Sequence, residues 1–526
     1  VTDARAKATA NNVSNFDANS GTTNSGTFIL NAASGASSID MTNAGSGTYD
    51  IRGGNSGDTL TGSAQADSLT GNNGDDTLQG KAGTDTMTGG AGADTFKVDI
   101  GADIITDLGG SSGGDSDVLI VSDGATANIT GVVSFTAGAT TTSNSSGTVN
   151  ITTQTSGGIV NMTAASGGYN LNGQGGVDTL SGGKGDDTIS GGVNADILKG
   201  GTGDDTLSGG ADNDEMTGDD GADTFKVDGG TDTITDLGGT AGGQTDVLIV
   251  SSGATANATN IASFTADGST KNEGIANLTA KVGGGTIDIG NSTTGAYTLT
   301  GLSGDDTLKG NGNNDTINGG DGADTIDGRG GNDIINAGKG DDIITVSAAG
   351  AANGDTIDGG DGTDTLTLSS GSHSFNTDAK LQSIDAINLA STATVIDLTG
   401  QTEGLNITGG AQGDTITAGS GDDTINGAAG ADIITGADGK DTISLGSSDS
   451  ASDVIIFSKA SSLTGMDIIN QFNAGASNGD ILKYIGNLSD VESSANITTG
   501  SDSNDDLISA DFVSNAKNAS LDITHL

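Results

Sequence analysis

The chain has 526 residues, 93 of them Gly, with no Cys, Pro or Trp, and its 69 Asp plus Glu against 18 Lys plus Arg give a formal net charge of -51. The acid excess argues against nucleic acid and anionic membrane as partners and for cations as counter-charge; the missing Cys excludes disulfide staples and thiol chemistry, and no apolar run approaches the ~18 residues of a membrane span. An apolar content of 32% in so long a chain points to several thin β layers rather than one thick core.

Residues 1–52 open with an Ala-, Asn-, Ser- and Thr-rich stretch of little periodicity to about Thr27, read as a connecting or lattice-facing arm, and continue through FIL, SIDMT and TYDIRG as an alternating β spacer. The first residue is Val1 rather than Met, so an N-terminal piece is expected to be removed or absent. Residues 53–97 divide without a gap into nine-residue units, with Asp58, Asp67, Asp76, Asp85 and Asp94 at the sixth place and Leu60, Leu69, Leu78, Met87 and Phe96 at the eighth. A β spacer, 98–172, leads to a second block, 173–226, cut as GQGGVDTLS, GGKGDDTIS, GGVNADILK, GGTGDDTLS, GGADNDEMT and GDDGADTFK. Its sixth places are Asp178, Asp187, Asp196, Asp205, Asp214 and Asp223, and its eighth places Leu180, Ile189, Leu198, Leu207, Met216 and Phe225.

The stretch from Ala93 aligns without a gap with that from Ala222, 129 residues later, so block end and spacer form a duplicated module. After the spacer 227–300, the third block, 301–367, carries Asp306, Asp315, Asp324, Asp333 and Asp342, then, past a short insertion, Asp355 and Asp364. A spacer of alternating strands, 368–408, precedes the fourth block, 409–444, with Asp414, Asp423, Asp432 and Asp441. Each block has a similar lead-in strand: SGTYDIRG, SGGYNLNG, TGAYTLTG and TEGLNITG. Residues 445–526 read as a capping region, in which Phe457, Asp467, Phe472 and Asp480 stand where Phe96, Asp103, Leu108 and Asp117 stand in the first module. A helix is expected in SADFVSNAKNAS, and the chain finishes in SLDITHL.

One apolar and one acidic position every nine residues fits neither a helix nor a hairpin, and so much Gly would be costly inside a helix. The unit must be a Gly-rich turn followed by a short strand with one inward side chain, two units making one coil of a flattened spiral. Where the fourth-place Gly is missing, Asn194 and Asp212 are residues able to take a left-handed conformation. Aspartates 18 residues apart then sit one coil above another. Two carboxylates roughly 5 Å apart repel by about 3 kcal/mol at an effective dielectric near 20, and a bridging cation reverses the sign. Carboxylate and carbonyl oxygens with no His or Cys nearby make a hard, oxygen-only site that favours calcium. Disorder is the alternative for an acidic, Gly-rich tract, but disorder does not require an apolar residue in register six times running.

These units resemble the RTX (repeats-in-toxin) nonapeptide family, GGxGxDxUx. The resemblance implies an all-β, solenoid-like fold in which parallel β-helix or β-roll calcium spirals alternate with β-strand spacer layers. It also implies multiple Ca2+ ions, each between turns two units apart and held by sixth-place aspartates and main-chain carbonyls. Carried over to the second block, the pairs are Asp178 with Asp196, Asp187 with Asp205, Asp196 with Asp214, and Asp205 with Asp223. In that family a capping region closes the spiral, and an uncleaved C-terminal signal directs type I secretion.

No enzyme is expected. The two histidines, His373 and His525, are isolated and read as surface residues, leaving no Ser-His-Asp or His-metal constellation. A GxSxG string at Gly110 to Gly114 has the spacing of a nucleophile elbow, but Ser112 becomes Ala241 in the duplicate module. The chain is similar to RTX-containing surface-layer proteins of Gram-negative bacteria, which implies a calcium-dependent structural protein, secreted and self-assembling at the bacterial surface. An RTX adhesin or filament subunit, and the calcium-folding carrier of an upstream enzyme or toxin domain, are the competing readings. The expected partners are copies of the chain, in a lattice or filament, and cell-surface polysaccharide.

Overall fold

A computed structural model describes residues 7–109, 116–144, 146–238, 245–347, 354–446, 451–458, 468–470, 480–485, 497–499 and 508–510. The chain forms two compact units, Val1–Ala276 and Asn277–Leu526.

In the first unit the period of nine becomes half a coil. The seventh to ninth residues of a unit extend, and in the second block the strand continues into the next unit's first three residues, as in Thr179–Lys184, Thr188–Val193, Ile197–Thr202 and Thr206–Ala211. Strands two units apart pair in parallel: Leu180 with Leu198 and Leu198 with Met216 on one face, Ile189 with Leu207 and Leu207 with Phe225 on the other. The tight turn is therefore shorter than the Gly-rich part of the unit, because Gly183 and Gly201 still belong to the ladder. At the fourth place, Gly185 and Gly203 have φ of 108° and 124°, and Asn194 and Asp212 both take φ of 78°, the left-handed conformation their side chains tolerate.

Every eighth-place side chain of the first two blocks is buried. Burying such a residue contributes about 1.5–3 kcal/mol, whereas ordering backbone costs about 1–2 kcal/mol per residue. One apolar side chain per nine residues cannot hold a coil, so the ladder hydrogen bonds and the electrostatics of the turns decide whether it forms.

The spacers change the turns without changing the architecture. Phe96 of the first block pairs with Leu119, Ile105 with Ile129, Ile129 with Ile151, Ile151 with Leu171, and Leu171 with Ile189 of the second block. The ladder thus passes from block to block through further coils, lengthened where Asp94 and Asp117 are 23 residues apart. The N-terminal stretch expected as an arm also joins it: Lys7–Val13 pairs with Thr23–Ala32, and Asn15–Asp17 with Ser38–Asp40. Only Ala10, in register with Leu30, and Phe16, in register with Ile39, continue the apolar column among small, polar residues, which is why hydropathy periodicity gives little sign of these strands.

The second unit is built in the same way. Ile317 pairs with Ile335 and Ile335 with Ile357, Ile326 with Ile344 and Ile344 with Leu366. The ladder continues through Ile387 and Ile407 to Ile425. A 3-10 turn, Asp378–Lys380, interrupts the spacer. In the capping region Val454–Ser458 pairs in parallel with Ile481–Ile485. Ile508–Ala510 runs antiparallel to Ile468–Asn470 and Ile497–Thr499. The first two residues of the expected C-terminal helix, Ser509 and Ala510, lie in that strand, and the remainder lies outside the described residues, as do Asp467, Phe472 and His525.

Candidate metal centres

A sixth-place aspartate closes each turn just before its strand, and all of those named from the sequence are buried. They stack by one repeated bond. The main-chain N–H of each donates to Oδ1 of the aspartate one coil on: Asp178 to Asp196 at 2.8 Å, Asp187 to Asp205 at 2.7 Å, Asp196 to Asp214 at 2.8 Å, and Asp205 to Asp223 at 2.9 Å. The same bond links Asp58 with Asp76, Asp67 with Asp85, Asp306 with Asp324, Asp315 with Asp333, and Asp414 with Asp432. It crosses the insertion of the third block, joining Asp333 to Asp355 and Asp342 to Asp364. The structure therefore brings together the residues that the nine-residue register pairs.

The second carboxylate oxygen has a different fate. Oδ2 of Asp76, Asp85, Asp196, Asp205, Asp214, Asp306, Asp324, Asp342 and Asp364 is buried without a hydrogen-bond partner among the described residues. A buried, unpaired carboxylate oxygen is expensive, so its recurrence in register calls for an electrostatic partner. First-place glycines form the wall beside it. A Cβ on Gly200 would stand 2.3 Å from Oδ2 of Asp205 and 2.7 Å from the carbonyl oxygen of Gly218, and one on Gly319 would stand 2.4 Å from Oδ2 of Asp324 and 2.3 Å from the carbonyl oxygen of Ala337. Only Gly lets the carboxylate and the carbonyl of the next coil approach the same point.

Burial, and behind it the charge of other carboxylates in and beside the stack, pushes Asp85, Asp205 and Asp223 each up to about 7. Asp333 is pushed up to about 8, by burial and then by Asp355, Asp315 and Asp327. Among the described residues no three acidic or histidine side chains converge on one point. A cation here would take its remaining ligands from main-chain carbonyls. Such a donor set, oxygen only and rich in negative charge, fits Ca2+.

Several residues of this system lie beyond the four blocks delimited from the sequence. Asp103 and Asp232 accept from the N–H of Asp85 and Asp214, and Asp117 and Asp246 from that of Asp94 and Asp223. Asp385 accepts from Asp364, Asp453 from Asp432, and Asp480 from Asp453. The stacks thus outrun the blocks, and the likeness of Asp480 to Asp117 holds in the bond each makes. The signal they share is Asp-x-U-x itself, as in DVLI and DIIT, without the full GGxGx turn. The fifth-place acid also has a role: Ala222 donates to Oδ1 of Asp204, and Ala323 to Oδ1 of Asp305.

His373 is not on the surface, as its sequence isolation suggested. It is 1% exposed, lies in register with Ile396, and its Nε2 is 2.8 Å from the Ser369 carbonyl oxygen. The alternation of Ser-His-Ser-Phe turns it inward with Phe375. The GxSxG string from Gly110 lies outside the described residues.

The family model of the RTX calcium-binding nonapeptide repeat (four copies) matches the chain in several, partly overlapping places that together span 52–105, 172–234, 282–344, 348–372 and 408–443. No curated protein matches the chain. Repeats of this kind bind calcium and are typical of secreted proteins, and no helix among the described residues is long and apolar enough to cross a membrane. Because the matched segments carry the stacked aspartates, the inward apolar column and the parallel coils together, these blocks of the chain are RTX calcium-binding nonapeptide repeats.

Proposed function

We propose that the sixth-place stacks hold calcium between successive coils, and that the chain is an extracellular structural protein that assembles with copies of itself at the bacterial surface, in the manner of a surface layer. The observation that carries this reading is the recurrent buried Oδ2 without a hydrogen-bond partner among the described residues, which a cation between coils would satisfy. Bound calcium supplies the positive charge that cancels repulsion within a stack. The chain's own residues do the rest: main-chain N–H groups fix Oδ1, and the first-place glycines leave room beside Oδ2. At a net charge of -51, neighbouring copies repel, so association also requires divalent bridging. Strand edges at the ends of a ladder are templates for pairing, and no Pro blocks them.

Electron microscopy of the purified chain at millimolar calcium, with a chelated control, tests the reading. Ordered sheets that dissolve in chelator are expected. Fibres would favour the adhesin or filament reading. A chain that folds with calcium yet stays monomeric over a wide concentration range would remove the support for assembly and favour the carrier of an upstream domain.

A further inference from the structure

The lead-in strands place a tyrosine where the stack should begin. Ile51 pairs with Leu69, Leu171 with Ile189, and Leu299 with Ile317. Two residues before each pair, Tyr49, Tyr169 and Tyr297 therefore stand in the sixth-place register opposite Asp67, Asp187 and Asp315. Each tyrosine is 2% exposed and donates its main-chain N–H to Oδ1 of its aspartate, at 2.7, 2.6 and 2.8 Å. In the backbone ladder the tyrosine does what a sixth-place aspartate does, but it brings a phenol in place of a carboxylate.

The phenol is tied to its own turn. Tyr169 Oη donates to the Ser166 carbonyl at 2.8 Å, Tyr49 Oη to the Ser46 carbonyl at 3.1 Å, and Tyr297 Oη lies 2.7 Å from Ser292 Oγ. In the first two cases a turn carbonyl that could face a cation is taken by a hydroxyl. The three facing aspartates also differ from those one coil on. Oδ2 of Asp67 accepts from Ser63 N at 2.6 Å, that of Asp187 from Gly183 N at 2.8 Å, and that of Asp315 from Asn311 N at 2.8 Å. Oδ2 of Asp85 and Asp205, the next members of the first two ladders, has no hydrogen-bond partner among the described residues.

We propose that the pairs Tyr49 with Asp67, Tyr169 with Asp187, and Tyr297 with Asp315 are metal-free terminators of their ladders. The first cation of the first two ladders is then held by Asp85 or Asp205, one coil later than the sequence motif begins. An uncompensated carboxylate at the start of a stack would face no second carboxylate; a buried ring and two N–H donors remove the need for an ion there. The far ends of two ladders have a similar device: in the first module the ladder beside that of Tyr49, and in the second the ladder of Tyr169 itself, which runs through Asp187, Asp205 and Asp223 to Asp246. Asp117 and Asp246 have Oδ1 bonded to the N–H of Asp94 and Asp223, and Oδ2 bonded to the N–H of Gly109 and Gly238. Two main-chain donors thus meet each of these carboxylates.

This inference rests on the calcium reading of the stacks, and calcium bound per full chain, measured by equilibrium dialysis with metal analysis, separates the two. Asp187→Asn is expected to bind as many ions as the parent, and Asp205→Asn at least one fewer. Tyr169→Asp, which restores a carboxylate to the lead-in coil, is expected to bind one more. An Asp187→Asn count reduced as far as that of Asp205→Asn would overturn the terminator, and so would a Tyr169→Asp count equal to the parent's. A parent chain that bound no calcium would overturn the calcium reading and this one together.

Discussion

Asp204 and Asp205 are adjacent, yet their carboxylates bond in opposite directions along the coil axis. Oδ1 of Asp205 accepts the N–H of Asp187, one coil back, at 2.7 Å, and Oδ1 of Asp204 accepts the N–H of Ala222, one coil on, at 2.9 Å. The paired acids of GGTGDD divide two tasks. The buried member keeps Oδ2 without a hydrogen-bond partner among the described residues, and the exposed member staples the next turn.

Substitutions should separate those tasks. Asp204→Ala removes one exposed cross-coil hydrogen bond and is expected to cost about 0.5–1.5 kcal/mol without changing the number of calcium ions bound; Asp204→Asn keeps the acceptor and should restore the loss. Asp196→Ala, at a buried position in two successive stack bonds, should lower both the number of ions and the cooperativity of binding. Calorimetric titration and thermal unfolding of the same variants check both. Equal effects at Asp204 and Asp196 would mean that net charge, not register, governs binding.

The first-place glycine is expected to be indispensable for a steric reason. Gly200→Ala puts a methyl group 2.3 Å from Oδ2 of Asp205, so it should displace the carboxylate and weaken calcium binding in the second block. Gly312→Ala meets nothing within 4 Å and has no left-handed φ. It should be neutral, or stabilising by roughly 0.4–1 kcal/mol through the unfolded chain. Calcium titrations of the two variants give the comparison.

Acid should partly replace calcium. Asp85, Asp94, Asp205 and Asp223 are pushed up to about 7 in the folded chain, by burial and then by neighbouring carboxylates, against an ordinary value near ~3.9 when unfolded. Folding therefore takes up protons between those limits. The contribution is fully present below about 4 and is lost as pH rises through about 7. In chelator, the β signal in circular dichroism should grow as pH falls from 8 to 5. With calcium present the same protons compete with the ion, so affinity should fall over that range. A metal-free β signal that strengthened towards pH 8 would contradict the stacking of buried carboxylates.

The period of nine was enough to place the columns. Leu180 to Phe225 and Asp178 to Asp223 are all buried at their expected places, because each residue type repeats in a register that only a coil satisfies. Legibility stops where the turn changes length or chemistry. Asp103 keeps only the fourth-place glycine, Gly101, Asp117 follows Asp94 by 23 residues and so leaves the nine-residue register, and Tyr169 holds a sixth place with a side chain that no acidic pattern includes. The role of Asp204 has no sequence signature, because its partner is the main-chain N–H of Ala222. His373 was misplaced for a related reason. Its neighbours are serines, and the strand alternation that buries it shows only in the pairing with Thr394–Asp397.

Calcium-coupled folding is tested most directly by far-ultraviolet circular dichroism of the full chain at pH 7.5, in millimolar calcium and then in excess chelator. Sites of the extracellular affinity class, ~10⁻⁴ to 10⁻³ M, should give a β spectrum in calcium that collapses towards that of a disordered chain in chelator and returns when calcium is restored. A full β spectrum that persisted in chelator at that pH would show that the buried carboxylates need no cation, and would contradict calcium-coupled folding.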